Sequence, residues 1–345
     1  MRISRLLRFS LLAFILAFFA AGLSAEEGIV TVYTHRHYEA DQTIFDLFTA
    51  RTGIKVRVLK GDADQLLQRL KAEGAKSPAD LFITADVGRL WKAKEEGLLQ
   101  SARGSAISAI PAHLRDAEGH WVGLTKRARV IVWDGVKSVS SPARNYLDLA
   151  SPAMRGKVLI RSSGNVYNVS MTAALIGTYG DAGAASWAAG VAANLAQPPK
   201  GGDRDQMKAL AAGVGGSSAV AVTNTYYLGQ LLGSQDPAER EIGSRMRVVF
   251  PDQEGAGTHV NVSGAGIARH SPNREGARLL LEFMVSVEAQ RLFAEANFEY
   301  PVLPGVPLHP FVAAWGSFKE DTQPLENLGR RSAGALALMD KAGWK

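Results

Sequence analysis

The chain has no cysteine, which excludes disulfides, thiolate metal sites and catalytic thiols together. Beyond Ala25 it has no apolar run long enough to cross a bilayer, no Lys/Arg-rich block, and no G-x-S-x-G, H-E-x-x-H or P-loop pattern. A spanning helix, a nucleic-acid surface and the common hydrolase and nucleotide-hydrolysing sites therefore lack their sequence signals. No internal repeat or low-complexity segment follows Ala25.

The segment up to Ala25 reads as an export signal. Arg2, Arg5 and Arg8 form a charged start, Leu11 to Ala21 an apolar stretch, and Leu23-Ser24-Ala25 a cleavage site before Glu26. The apolar stretch is about half the ~20 residues that a membrane span needs. Cleavage leaves 26–345 and, by removing those three arginines, lowers the formal net charge from +6 to +3. That mild basicity argues weakly for anionic ligands and against nucleic acid. An exported chain without disulfides must rely on its core, and a mature chain of this length suffices for two lobes with cores of their own.

Apolar residues alternate between the strand and helix periods along nearly the whole mature chain. Ile29 to Thr34 reads as a buried strand, followed by a helix with Ile44, Phe45, Leu47 and Phe48 on its apolar face and a stop at Gly53. "IKVRVLKG", "DADQLLQRLKAEG", "ADLFITAD" and "VGRLWKAKEEGLL" continue the order strand, helix, strand, helix. After "HWVGLTKRARVIVWD" a second unit begins. It has a strand over 156–162, a helix over 166–179 ended by Gly180, two further helices, a strand "SAVAVTN" and a helix from Thr225. The strands "RMRVVFPDQ" and "HVNVSGAGIA" and a helix pair over 273–296 complete it. The pattern predicts an α/β fold of two lobes, each a mixed, mostly parallel sheet flanked by helices, joined by crossing strands.

Four of the eight tyrosines fall where a strand gives way to a helix. They are Tyr38, Tyr167, Tyr226 and Tyr227, the last two preceded by Asn224 and Thr225 as potential caps. Open α/β sheets bind ligands at these carboxyl strand ends. Adjacent residues such as His37-Tyr38 and Tyr226-Tyr227 serve one site only at such a turn, because neighbours on a strand face opposite ways. Tyr33, Tyr146, Tyr179 and Tyr300 fall elsewhere and read as structural. A neutral phenol cluster suits stacking or hydrogen-bonding ligands, whereas a hard trivalent cation such as Fe³⁺ displaces the phenolic protons. Helix N-termini favour the resulting phenolates. Four phenolates exceed the charge of Fe³⁺ by one, and Arg36 or Arg127 is a candidate to offset it.

With these residues in view, the chain resembles the ferric-iron-binding periplasmic proteins, solute-binding components of iron ABC transporters, in their FutA-like branch. "VYTHRHYEAD", the stretch from "TGIKVRVLKGD" to "KEEGLLQ", "RSSGNVYNVS" and "VTNTYYLGQL" carry the likeness in the family's order. The resemblance implies a class II periplasmic binding protein fold with two crossing strands, Fe³⁺ as transported ligand in the interlobe cleft, an inner-membrane ABC permease as partner, a monomer and a periplasmic location. It also implies His37, Tyr38, Tyr167, Tyr226 and Tyr227 as the metal ligands, with no catalytic residue. The expected lobes are 26–126 with 256–302 and 127–255 with 303–345. His35 departs from the family, where a small hydroxyl residue is usual, and bears on hydrogen bonding beside the ligands. Wider relatives add a small anion to the iron, and Ser162 to Asn165 at a helix start would either cradle one or simply cap the helix.

Two other readings stay open at this level. One is a binding protein for a polyamine, thiamine or an oxyanion, whose site would need carboxylates, stacked aromatics or backbone donors. The other is a ferric His/Tyr enzyme of the catechol-cleaving dioxygenase type, which would need an exchangeable coordination position.

Overall fold

The computed structural model describes residues 28–36 and 38–345, so the export segment 1–25 and His37 lie outside the described residues. Among those described, the strands are β1 (Ile29–Thr34), β2 (Lys55–Lys60), β3 (Leu81–Thr84), β4 (Leu99–Gln100), β5 (Val122–Asp134), β6 (Val158–Leu159), β7 (Val220–Asn224), β8 (Met246–Val249), β9 (Val260–Ala268) and β10 (Tyr300–Pro301). They follow the order β2-β1-β3-β9-β5-β7-β6, with β4 on β9 and with β8 and β10 on β5. The expected parallel pairing joins β1 to β2 and β3, and β6 to β7. Every pairing made by β5 or β9 is antiparallel. The sheet edge at β2 carries exposed Lys55 and Arg57, charges that discourage pairing with another chain.

The long strand β5 belongs to both halves. From Val122 to Ala128 it pairs with β9, and from Arg129 to Asp134 with β7 or β8. The chain returns between β8 and β9, where Arg129 N–H donates to His259 C=O at 2.9 Å. Tyr146 pins both crossings: its hydroxyl donates to the Arg129 carbonyl at 2.5 Å and accepts from His259 N–H at 3.2 Å. That accounts for one tyrosine expected to be structural. Tyr33 is another, buried in β1 with its hydroxyl on Glu73.

On β5 the two-residue period sends Leu124, Ala128, Val130 and Val132 to one face and Thr125, Arg127 and Arg129 to the other. All seven are buried, so the second face is a ladder of polar groups that each require a partner. Thr125 lies opposite Ser263 and Arg127 opposite Asn261 across the β5–β9 register.

The helix Glu39–Thr52 starts at extended Tyr38 and ends at Gly53, whose φ of 74° permits the left-handed cap that bonds back to Thr49. The two helices expected on either side of Gly180 are both present within Val166–Ala193, separated by the non-helical backbone of that glycine (φ 70°, ψ 173°). Trp187 on this helix meets Trp344 edge-on at 5.7 Å, both buried, a pairing worth about 0.5–1.5 kcal/mol beyond its area. Among the described residues no helix is long and apolar enough to cross a membrane.

Candidate metal centre

The first turns of three helices bring their tyrosines together. Tyr38 is the residue before the helix Glu39–Thr52, Tyr167 is the second residue of Val166–Ala193, and Tyr226 and Tyr227 are second and third in Thr225–Leu232. Asn165 fixes the second of these starts, its side chain accepting from Tyr167 N–H at 3.1 Å. Asn224 occupies the cap position of the third, yet its side chain does not cap. Its carbonyl oxygen faces Arg129 at 3.5 Å and its backbone N–H donates to Asp203.

Tyr226 lies at the middle of the cluster. Its ring is 4.0 Å from that of Tyr227 and meets the Tyr38 ring edge-on at 5.9 Å, while its hydroxyl is 3.5 Å from that of Tyr167. Tyr167 and Tyr226 are buried, and Tyr38 and Tyr227 are half-buried. All four tyrosines singled out in the sequence are thus brought together. His37, the fifth expected ligand, falls outside the described residues. Among the described residues no group of three or more His, Cys, Asp or Glu side chains could hold a metal. A cation held here would therefore rest on the phenols.

Beneath the phenols lie two buried arginines with different duties. Arg36 forks onto both oxygens of Asp41 (3.0 and 3.1 Å) and reaches Glu299 at 3.0 Å, with further bonds to Thr125 and Ser263. Its guanidinium sits between the rings of Tyr38 and Phe293, at 4.6 and 5.1 Å. Two carboxylates therefore already match its charge. Arg127 holds the Ala85 carbonyl and touches Glu299 only at 3.4 Å. It faces the rings of Tyr167 at 5.4 Å and Tyr226 at 5.9 Å. Arg36 thus faces Tyr38 with two carboxylates of its own, while Arg127 faces Tyr167 and Tyr226 with only the longer contact to Glu299.

The electrostatics favour neutral phenols until a cation arrives. Burial, above all, raises the Tyr38 pKa, reinforced by Tyr167 and Glu299 and opposed by Arg127 and Arg36. Burial also raises Tyr226, with Tyr38, Tyr167 and Tyr227 adding to the effect. Tyr227 is raised by burial, then by Tyr167 and Asp203. Burial works against the Arg127 charge, but Tyr167, Tyr38, Glu299 and Tyr226 outweigh it, so the guanidinium stays charged.

Beside the cluster opens a cavity of about 380 Å³, walled by His35, Thr84, Asp86 and Arg89 on one side and Arg161, Gly164, Asn165, Tyr167 and Tyr227 on the other. Of the stretch Ser162 to Asn165, Gly164 and Asn165 line it at the helix start, where Asn165 acts as the cap. His35 lines this cavity, which places the family departure at its wall. Sequence reasoning did not single out Arg161, Asp203 or Glu299. Arg161 stands 6.0 Å from the Tyr167 ring and 3.8 Å from Asp203. Its position directly after the apolar run "VLI" was a signal of the same strand-end kind that exposed the tyrosines. Glu299 has no such signal, lying between Phe298 and Tyr300 far along the chain.

Residues 76–314 match the model of the family described as bacterial extracellular solute-binding protein. Over 326 residues the chain is 45% identical to Iron uptake protein A1 of Synechocystis sp., covering 94% of this chain and 90% of that one. A Trichodesmium protein (IdiA, FutA) solved in complex with iron and citrate ligands matches with a TM-score of 0.87 and 45% identity, over 92% of this chain and all of that one. A ferric binding protein from Campylobacter jejuni matches equally in shape, TM-score 0.87, at 39% identity over 92% of this chain and 100% of its own. With a family model matched over more than half its length and a relative this similar across nearly all of it, the chain belongs to the bacterial extracellular solute-binding proteins.

Proposed function

We infer that the protein captures ferric iron in the cleft between its lobes and delivers it to an inner-membrane ABC permease. The observation that carries this reading is the meeting of four phenols at three helix N-termini over one buried arginine, at a place with no competing carboxylate or imidazole cluster among the described residues. Similarity to proteins named for iron uptake and ferric binding supports it. Iron here is cargo, and no covalent bond in a substrate is made or broken.

The ligand set in this reading is Tyr38, Tyr167, Tyr226 and Tyr227 with His37. Tyr38 and His37 come from the lobe formed by 26–126 and 256–302, the other three from 127–255 and 303–345. What supports that division is the change of partner along β5, from β9 up to Ala128 to β7 at Arg129. Metal bonds then tie the lobes together only when the hinge is shut. The mature chain acts as a monomer in the periplasm after removal of residues 1–25. Arg127 supplies the positive charge by which four phenolates exceed Fe³⁺.

Titration with Fe³⁺ tests this. The mature protein develops a visible phenolate-to-iron charge-transfer band, and Tyr226→Phe combined with Tyr227→Phe loses both the band and tight binding. An unchanged band and affinity in that variant would overturn the ligand set. A colourless wild-type complex would favour an organic solute or an oxyanion.

A further inference from the structure

The C-terminal helix Leu325–Lys341 lies against Val166–Ala193 from one lobe and against Gly88–Glu95 from the other. Its last turn is fixed to the segment that carries Tyr167. Thr172 Oγ1 donates to Met339 Sδ at 3.2 Å, Ser163 Oγ to Asp340 at 3.2 Å, and the Trp344 indole N–H to the Arg161 carbonyl at 3.0 Å. Its first half reaches across. Gly329 rests on Trp91 so closely that a Cβ would lie 2.7 Å from Trp91 Cβ and Cγ, a separation real side chains do not show. A Cβ on Gly88 would lie 3.5 Å from Ser332 Oγ and 3.8 Å from Gly329 Cα.

The seat adjoins the floor of the phenol site. Gly88 N–H donates to Asp86 Oδ1 at 3.0 Å, the other Asp86 oxygen accepts from Asn261 at 3.1 Å, and the preceding residue, Ala85, gives its carbonyl to Arg127. One end of the helix thus travels with Tyr167, while the surface under its other end travels with Tyr38. The contact of Gly329 with Trp91 therefore spans the two lobes of the proposed division, as the phenols do.

We propose that Gly329 and Trp91 are positioning residues for iron capture: they form an interlobe latch that exists only in the shut molecule and sets how slowly bound Fe³⁺ is lost. The proposal rests on capture by closure. A contact present in only the closed state adds its free energy to the ligand's affinity, because the ligand selects that state. Overfilling the seat or emptying it must then act on release, with the ligands untouched.

The test measures Fe³⁺ loss to an excess of competing chelator, and the thermal midpoint with and without iron, in Gly329→Ala, Trp91→Ala and the wild type. Gly329→Ala is expected to speed loss by about ten- to a hundredfold and Trp91→Ala by roughly tenfold. In both the charge-transfer band keeps its wavelength, while the rise in midpoint that iron confers shrinks. Should Gly329→Ala fail to fold, Trp91→Ala decides alone. Wild-type release rates together with an undiminished iron-induced rise would overturn the latch and leave iron binding intact. A wild-type protein that takes up no Fe³⁺ would overturn both.

Discussion

Arg127 offers the sharpest test of the electrostatics at the phenol cluster, through Arg127→Met. The substitution keeps the unbranched stem in its buried slot and removes the guanidinium that faces Tyr167 and Tyr226. The magnitude follows from what the charge would meet. In the proposed complex iron would cancel three of four phenolate charges, leaving Arg127 to interact with one net negative charge. At the ring distances of 5.4 and 5.9 Å and an effective dielectric near 20, one pair of unit charges is worth about 3 kcal/mol, or roughly a hundredfold in affinity. Arg127→Lys keeps the charge and should recover most of that loss. Competition against a chelator of known ferric affinity, at one pH and ionic strength, measures all three proteins. Equal affinity in wild type and Arg127→Met would refute the reasoning. Equal weakness of Met and Lys would show that the bond to the Ala85 carbonyl, not the charge, is what matters. Arg36→Met serves as the contrast. It leaves Asp41 and Glu299 buried without their main cation, so its damage should fall on fold stability, by about 3–5 kcal/mol.

Because Tyr38, Tyr226 and Tyr227 are held above the ordinary phenol range, chiefly by burial, they carry their protons at neutral pH in the metal-free protein. The iron-loaded form holds fewer protons, so affinity rises with pH, by about three log units per pH unit if these three phenols ligate. A pH-stat titration counts the protons released, and a count of one or none would contradict the phenolate set. His259 gives a second pH effect, on the fold itself. Burial, then Arg129, lowers its pKa to about 3, and Asn261 Nδ2 donates to its Nε2, so the ring proton sits on Nδ1. Below the ordinary histidine pKa of about 6.5 the unfolded chain takes up a proton that the folded one refuses. Stability is therefore lost as pH falls from that value toward 3, by about 1.4 kcal/mol per unit. His259→Gln should flatten this part of the curve, measured as urea midpoints at neutral and acid pH, and an unchanged acid loss would refute it.

The elements that sequence reasoning placed well are those whose signal is burial along one segment. The alternation over 29–100 predicted strand and helix correctly because each segment packs one face on the sheet. Hydrogen-bond partners are a different matter. Ile160 is as buried as Leu159, yet β6 ends at Leu159, because apolar periodicity reports burial and not a neighbouring strand. Asn224 had the right position for a cap, and lost its side chain to Arg129. The four tyrosines were legible because strand ends are one-dimensional features. Which arginine serves them was not, since Arg36 is matched by Glu299, a residue 263 positions away.

Placing that counter-charge on β5 also follows from how a closing cleft must be built. In the proposed division Tyr38 belongs to one lobe and Tyr167, Tyr226 and Tyr227 to the other, so hinge motion would change the distances between them. A cation far from the crossing strands would stay near the phenols of its own lobe and lose those of the other. Arg127 instead lies one residue before the point where β5 exchanges β9 for β7, on a face whose neighbours Thr125 and Arg129 are each tied into one half. From there it faces Tyr167 and Tyr226 directly and contributes to the field at Tyr38. In that reading the phenols approach a charge that stays beside the crossing. A buried polar strand face, costly by the usual rules for a core, is what allows this. Its remaining groups, Thr125 with Ser263 and Arg129 with Asp203, are paired so that Arg127 alone is left turned toward the phenols.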